Sequence, residues 1–468
     1  MEVKVVEPET LDDLEDIEEP IDQEIPPPEE MDFEITTADP TVTPTENAPT
    51  PETDFSPQPV EFDAVAMTKS PVIMKGIYGS RNSGSRGEAM LRFGGTASEV
   101  PVLRALRWLK KNQNEDGSWN KTKSAMTALA LLAYLAHGDT TASAEFGSTV
   151  QGAITYLAKA GVASNGRFKG NYEIPIGTYA LCEAYAITRI PKLKEICEAN
   201  VDFVIKGQHP SGGWDYSCKQ TQRDDTSYMG WCVQALKAAK MAGIPHPNLR
   251  DAMEKAVHGF KKNFKGKDGY GGFGYTSPSI GNLTGIGVLC MQFLGASKTK
   301  ECKAGLKTLE KATCDWQNPM GQSPLYYWYY ITQAKFHEGD NVWNAWNKQF
   351  SPTLIKNQKV VSKDLSGYID HKGKPQEIGS WISPGKKEHT GGNGEVMDTI
   401  LCTLMLEVYY RYLPTFQPPD DKEEEEIGGE EDELEIDIVN RSPAFLPADN
   451  NDKKNNINNR DDLNIDIV

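Results

Sequence analysis

No stretch of this 468-residue chain approaches the ~18 consecutive apolar residues that an α-helical membrane span requires. A secretory leader is not expected either, because Met1 runs straight into acidic, polar sequence. The chain reads as soluble, although its compartment is left open. Cysteine is sparse, at eight, and no two are spaced as Cys-x-x-Cys. Disulfide stapling belongs to short secreted chains, so these are read as buried free thiols. The seven histidines fall mostly in turns or on outward helices; Cys218, Asp215 and His209 come nearest to a metal set, but their spacing fits no zinc site. No metal or cofactor is expected. There is no Gly-x-Ser-x-Gly elbow and no phosphate loop.

The net charge is −18, yet it is unevenly placed. Residues 1–63 hold 21 acids against one base, and residues 417–468 hold 17 against five, leaving 43 bases and 29 acids between them. The middle is therefore basic. Its Lys and Arg spread over helices without a stripe, so a nucleic-acid partner is not expected.

Residues 1–75 and 417–468 read as disordered acidic tails, since Pro-rich, acid-rich sequence buries too little apolar surface to offset chain entropy. Within the second, Leu434-Glu-Ile-Asp-Ile-Val439 recurs as Leu463-Asn-Ile-Asp-Ile-Val468. Each alternates apolar and acidic residues as a strand does, and suits docking on a partner's sheet edge or back onto the basic middle. Gly76–Val100 reads as a Gly/Ser/Arg linker.

From 101 to 416 one unit recurs six times: an amphipathic helix, a Gly/aromatic turn and a second helix that is apolar nearly all round. In the first unit the stripe Leu103, Leu106, Leu109 precedes the turn Gln113–Trp119 and the run Ala128-Leu-Ala-Leu-Leu-Ala-Tyr134. Such hairpins bury their faces only against neighbours. The last one, ending in Thr399-Ile-Leu-Cys-Thr-Leu-Met-Leu406, is strongly apolar and no polar capping unit follows it. That favours a closed ring over an open stack. The fold class is all-α, a six-hairpin (α/α)6 toroid with an outer and an inner ring of helices and a central cavity.

Gln113-x-x-Asp-Gly-Ser-Trp119, with weaker copies at Gln208…Gly213-Trp214 and Gly379-Ser-Trp381, resembles the QW-type repeat of squalene-hopene and other class II terpenoid cyclases. The chain is most similar to bacterial prenyltransferase/squalene-oxidase-repeat proteins, some of which follow a membrane anchor. Class II cyclases protonate an alkene or epoxide with an Asp in a D-x-D-D-T stretch after a Gly-Gly-aromatic turn. Gly212-Gly-Trp214 followed by Gln222-Arg-Asp-Asp-Thr226 resembles it, which implies Asp224 as proton donor with Asp225 and Thr226 beside it. Gln222 replaces the first Asp of that pattern. The residues alone also read as a helix start, with Asp225 and Thr226 as caps. Tyr326-Tyr327-Trp328-Tyr-Tyr330, Tyr228, Trp231 and Trp214 are the candidate ligand aromatics; their faces would stabilise a cation or stack on a flat ligand. Two functions follow. One is a toroid binding an extended ligand (peptide, glycan or lipid) in its cavity while the tails recruit partners. The alternative is an isoprenoid cyclase acting through Asp224.

Overall fold

The computed structural model describes residues 80–120, 122–162, 166–321, 323–385 and 394–411. The acidic tails and both Leu-x-Ile-Asp-Ile-Val segments lie outside the described residues. A first helix, α1 (Ser83–Phe93), precedes six hairpins. They are α2 (Glu99–Lys111) with α3 (Lys123–His137), α4 (Gly147–Val162) with α5 (Glu173–Thr188), and α6 (Pro191–Lys206) with α7 (Thr226–Ala242). The second half comprises α8 (Leu249–Lys262) with α9 (Thr284–Phe293), α10 (Lys300–Leu309) with α11 (Pro324–Glu338), and α12 (Asp340–Lys356) with α13 (Gly394–Leu406). A last turn of helix, α14 (Val408–Arg411), follows.

The first helix of each pair carries one apolar stripe. In α8, Leu249, Ala252, Met253, Ala256 and Phe260 are buried while Arg250, Glu254, Lys255 and Lys261 face water, the 3.6-residue period of a helix lying on a core. The second helices are buried all round; every residue of α3 from Ala125 to His137 is covered. These six form the inner ring. α3 packs on α5, α5 on α7, α7 on α9, α9 on α11 and α11 on α13, and α13 returns to α3. The annulus is closed.

The turns stitch neighbouring hairpins together. The Gln113 amide donates to Gly117 O at 2.9 Å and to Thr149 O, in the first turn of α4, at 3.0 Å. Gln208 repeats this with Gly212 O at 2.9 Å and Ala252 O, in α8, at 2.8 Å. Gln358 donates to Pro101 O in α2 at 2.8 Å, so the sixth hairpin holds the first in the same way. Gly117 and Gly212 have φ of 80° and 90° and lie directly on the next outer helix. A Cβ on Gly212 would sit 1.8 Å from Lys255 O, which only glycine avoids. Trp119, Trp214 and Trp381 each donate their indole N–H to a carbonyl of the preceding outer helix, Leu109, Val204 and Leu354.

Two turns hold strands. β1 (Phe264–Lys267) and β2 (Tyr270–Phe273) form an antiparallel hairpin across Asp268 and Gly269, at φ 53° and 76°; positive φ at both central positions matches the right-handed strand twist. Between α12 and α13, β3 (Lys359–Val361) pairs with β6 (Ile378–Ser380), and β4 (Tyr368–Ile369) with β5 (Pro375–Gln376).

The stretch 76–100 is not a linker where it is described. Residues 83–93 form α1, capped by Asn82 and by Gly94, and Arg81 is wholly buried. Arg81 Nη2 meets Glu183 Oε1 at 2.7 Å, Nη1 donates to Leu135 O at 3.1 Å and Nε to Arg411 O at 2.9 Å. Arg411, also wholly buried, donates to Tyr179 Oη at 2.9 Å and Tyr329 Oη at 3.3 Å. These two arginines close the floor of the ring, where the inner helices end. The expected central cavity is correspondingly reduced. Side chains of α7 and α11 meet across the middle: Trp231 Nε1 donates to Tyr326 Oη at 3.1 Å, and Trp231 stacks on Tyr329 with ring centroids 6.1 Å apart. Large aromatic rings on helices only one partner apart reach across a six-membered ring and fill it. Among the described residues no helix is long and apolar enough to cross a membrane.

Candidate functional site

Inner helices begin at the end of the ring opposite the floor, and α7 begins with the Asp224-Asp225-Thr226 segment. Asp225 is its N-cap: Oδ1 accepts the Tyr228 backbone N–H at 2.9 Å, satisfying one of the orphan donors of a helix start. Its other oxygen accepts Arg223 Nη2 at 2.8 Å. Arg223 Nη1 in turn donates to Asp215 Oδ1 at 2.6 Å, and Nη2 also reaches Tyr275 Oη at 2.9 Å. The guanidinium lies over two rings, 4.8 Å from the Tyr216 centroid and 5.1 Å from that of Tyr275, and the two phenol hydroxyls bond each other. Asp215 and Asp225 are buried, while the Arg223 side chain is 36% exposed. Arg223 is thus fixed by two carboxylates and two ring faces, with one side to solvent.

The loop beneath it is strained. Ser217 and Cys218 are consecutive non-glycine residues at φ 57° and 52°, a conformation that costs free energy and persists only where surroundings impose it. The imposing contacts are a bond from Ser217 Oγ to Asn171 Oδ1 and one from the Cys218 N–H to Tyr228 Oη at 3.2 Å. Tyr172, Tyr216 and Tyr228 pack edge-on or tilted within 5.8 Å of one another, completing an aromatic, hydroxyl-bearing wall.

The two carboxylates of the pair are shifted in opposite directions. Burial raises the affinity of Asp225 for a proton, and the Tyr228 N–H, the Tyr275 hydroxyl and Arg223 only partly offset it, so its pKa lies above the ordinary value. Burial acts on Asp224 in the same direction but is overcome by Lys262 (2.7 Å), His209 (2.8 Å) and Ser211 (2.9 Å), so its pKa is lowered. Asp224 ties the hairpin-three turn to the end of α8, and it is held as an anion. A proton donor to an alkene needs the opposite.

The other sequence-predicted residues are dispersed. Thr226 donates to Gly274 O at 2.6 Å and binds the turn of the fourth hairpin. Trp214 and Trp328 face outward between hairpins, Trp328 donating to Thr313 O at 3.0 Å beside Trp316. Trp231, Tyr326 and Tyr330 lie in the filled interior, where Tyr326 Oη is 3.0 Å from Ser227 Oγ and 3.4 Å from Tyr330 Oη. Tyr327 is half-buried at the start of α11 and Tyr228 is buried in the wall. Asp215, Tyr216 and Tyr275 were not anticipated. The first two follow the Gly-Gly-Trp turn directly, as Tyr275 follows Gly271-Gly-Phe-Gly274, so position after a Gly/aromatic turn was the available signal.

Among the described residues no three His, Cys, Asp or Glu side chains converge as a metal site requires. By sequence the chain matches no family model and no curated protein. By structure it is similar to the α-1,6-mannanase of Salegentibacter sp. HEL1_6, at 11% identity, over 66% of this chain and 98% of that one, with a TM-score of 0.45. It is also similar to an inactive variant of that enzyme in complex with α-1,6-mannotriose, at 11% identity over 66% and 98%, with a TM-score of 0.43. A third similar structure is the GH76 α-mannanase of Bacteroides thetaiotaomicron, at 12% identity over 69% and 98%, with a TM-score of 0.47. The ring architecture stands on the helix contacts described above.

Proposed function

We propose that this toroid binds a glycan at the mouth of its third hairpin, with Arg223, Asp215, Asp225, Tyr216 and Tyr275 as the contact set. The carrying observation is the partly exposed Arg223, lying over two tyrosine rings and bonded to two buried carboxylates. A sugar offers paired hydroxyls, which bond to a guanidinium and its carboxylates, and apolar C–H faces, which stack on rings. Preorganisation lowers the ordering cost of binding. The polar lining gives a lipid or isoprenoid little apolar surface to bury. The cyclase alternative has against it the ionised, triply bonded Asp224 and the interior filled by Trp231, Tyr326 and Tyr330.

Calorimetric titration with a panel of linear manno-, gluco- and xylo-oligosaccharides tests this reading. Binding by the wild type should weaken by about tenfold or more in Arg223→Met, which removes a charge-assisted clamp. If no oligosaccharide binds, or Arg223→Met binds as well as wild type, the reading fails. A cyclised product from squalene that Asp224→Asn abolishes would replace it with the cyclase.

A further inference from the structure

The excursion between α12 and α13 concentrates exposed apolar surface. Of the eight large apolar side chains exposed among the described residues, Val360, Val361, Leu365, Ile369 and Ile382 lie within it, against Leu91, Ile280 and Met320 elsewhere. Strand β3 pairs only with β6 among the described residues, and all three of its side chains are exposed. An unpaired edge with exposed valines is a template for another strand, and folded proteins rarely leave one without cover. Its surroundings are basic. Lys356, Lys359, Lys363, Lys372 and Lys374 are exposed and none takes part in an ion pair among the described residues. Of the two acids between Lys356 and Lys374, Asp370 is occupied within its own loop by the Lys372 and Lys374 N–H groups and the Gln376 amide, leaving Asp364, and Glu377 beyond them is paired with Arg104.

We propose that the free edge of β3 receives the chain's own segment Leu434-Glu-Ile-Asp-Ile-Val439 as an added strand. Extended, this segment places Leu434, Ile436 and Ile438 on one face and Glu435 and Asp437 on the other. The apolar face suits Val360 or Val361, and the acidic face, with Glu430, Glu431, Asp432 and Glu433 ahead of it, suits the lysines. Backbone pairing supplies affinity and the alternating side chains supply register. The described chain ends at Arg411, so 22 residues separate it from Leu434. A random coil of that length would span about 26 Å on average, close to the ~25 Å length of α7 and hence to the depth of the ring. The segment is therefore presented at roughly millimolar effective concentration. The second copy, Leu463–Val468, has a longer tether and fewer acids ahead of it.

Amide hydrogen exchange along β3 in the full chain tests the assignment, read at the alternate amides that point away from β6. Against an intrinsic Kd of ~0.1 mM, millimolar presentation protects these amides about tenfold. That protection should disappear in the full-length double variant Ile436→Asp/Ile438→Asp and in Lys359→Glu/Lys363→Glu, and persist in Ile465→Asp/Ile467→Asp. It should be the same at all protein concentrations. Equal exchange in wild type and the Ile436/Ile438 variant overturns the proposal, as does loss only in the Ile465/Ile467 variant. Protection that grows with protein concentration also overturns it, in favour of docking between two copies. Unchanged circular dichroism of each variant separates lost docking from lost fold.

Discussion

Where the chain enters α7, Asp224 and Asp225 reach different partners and acquire different chemistry. Asp224 accepts from three side chains, and its lowered pKa makes it a stabilising anion. Asn in its place keeps the shape but leaves Lys262 and His209 facing an amide; losing charge-assisted bonds in a covered site costs about 1–3 kcal/mol, with the Lys262 arm contributing least because its side chain is 49% exposed. A carboxylate whose folded pKa is depressed stabilises fully above its unfolded value, near ~3.9, and loses that contribution as pH falls through the folded value. Urea titrations should therefore show Asp224→Asn less stable than wild type at pH 7, with the gap closing below about pH 4. A gap that persisted in acid would contradict an ionic role. None of this was visible in the sequence, because two adjacent aspartates look alike there. Burial and partners from α8 and the fourth hairpin separate them, and those partners lie up to 50 residues away in the chain.

Most of the helices were legible because their hydrophobic period is strong and Gly-rich turns separate them. The helix start read at Asp225 and Thr226 is where α7 begins. Helix α1 was missed for the converse reason. Ser83-Gly-Ser-Arg-Gly has poor helix propensity, and what holds it is tertiary: Asn82 caps it and Arg81 inserts into the floor. The ion pair of Arg81 with Glu183 is at most 1% exposed on either side. Removing one partner strands a buried charge, which typically costs about 3–5 kcal/mol. Arg81→Met should accordingly lower the thermal midpoint and release α1 to protease cleavage near Gly94. Adding Glu183→Gln should recover part of the loss, because the carboxylate stranded by the first change is then neutral. A single variant as stable as wild type, or cleaved no faster, would mean that α1 is held by something other than Arg81.

At the scale of the whole molecule, closure was foreseen from the absence of a polar capping unit, and the Gln358–Pro101 bond joins the ring by the same stitch that links its interior turns. The filled middle was not foreseen, since a sequence gives the aromatic content of α11 but not how far its rings reach. Closure carries a consequence that an open stack does not share. The two described ends of the chain are adjacent: Arg81 Nε donates to Arg411 O at 2.9 Å. A short Gly/Ser linker in place of both tails can therefore join them, and new ends can be opened between Ser297 and Lys298, in the turn from α9 to α10. Every inner-ring contact survives in such a permutant, so it should keep wild-type helix content and lose no more than about 2 kcal/mol, a few degrees in midpoint for a domain of this size. Deleting the sixth hairpin, residues 340–411, only shortens an open solenoid. In a ring it bares the apolar faces of α3 and α11 together, and the product should aggregate on expression. An unfolded permutant beside a soluble, helical deletion would show that the hairpins hold as a stack and that the α13–α3 contact contributes nothing.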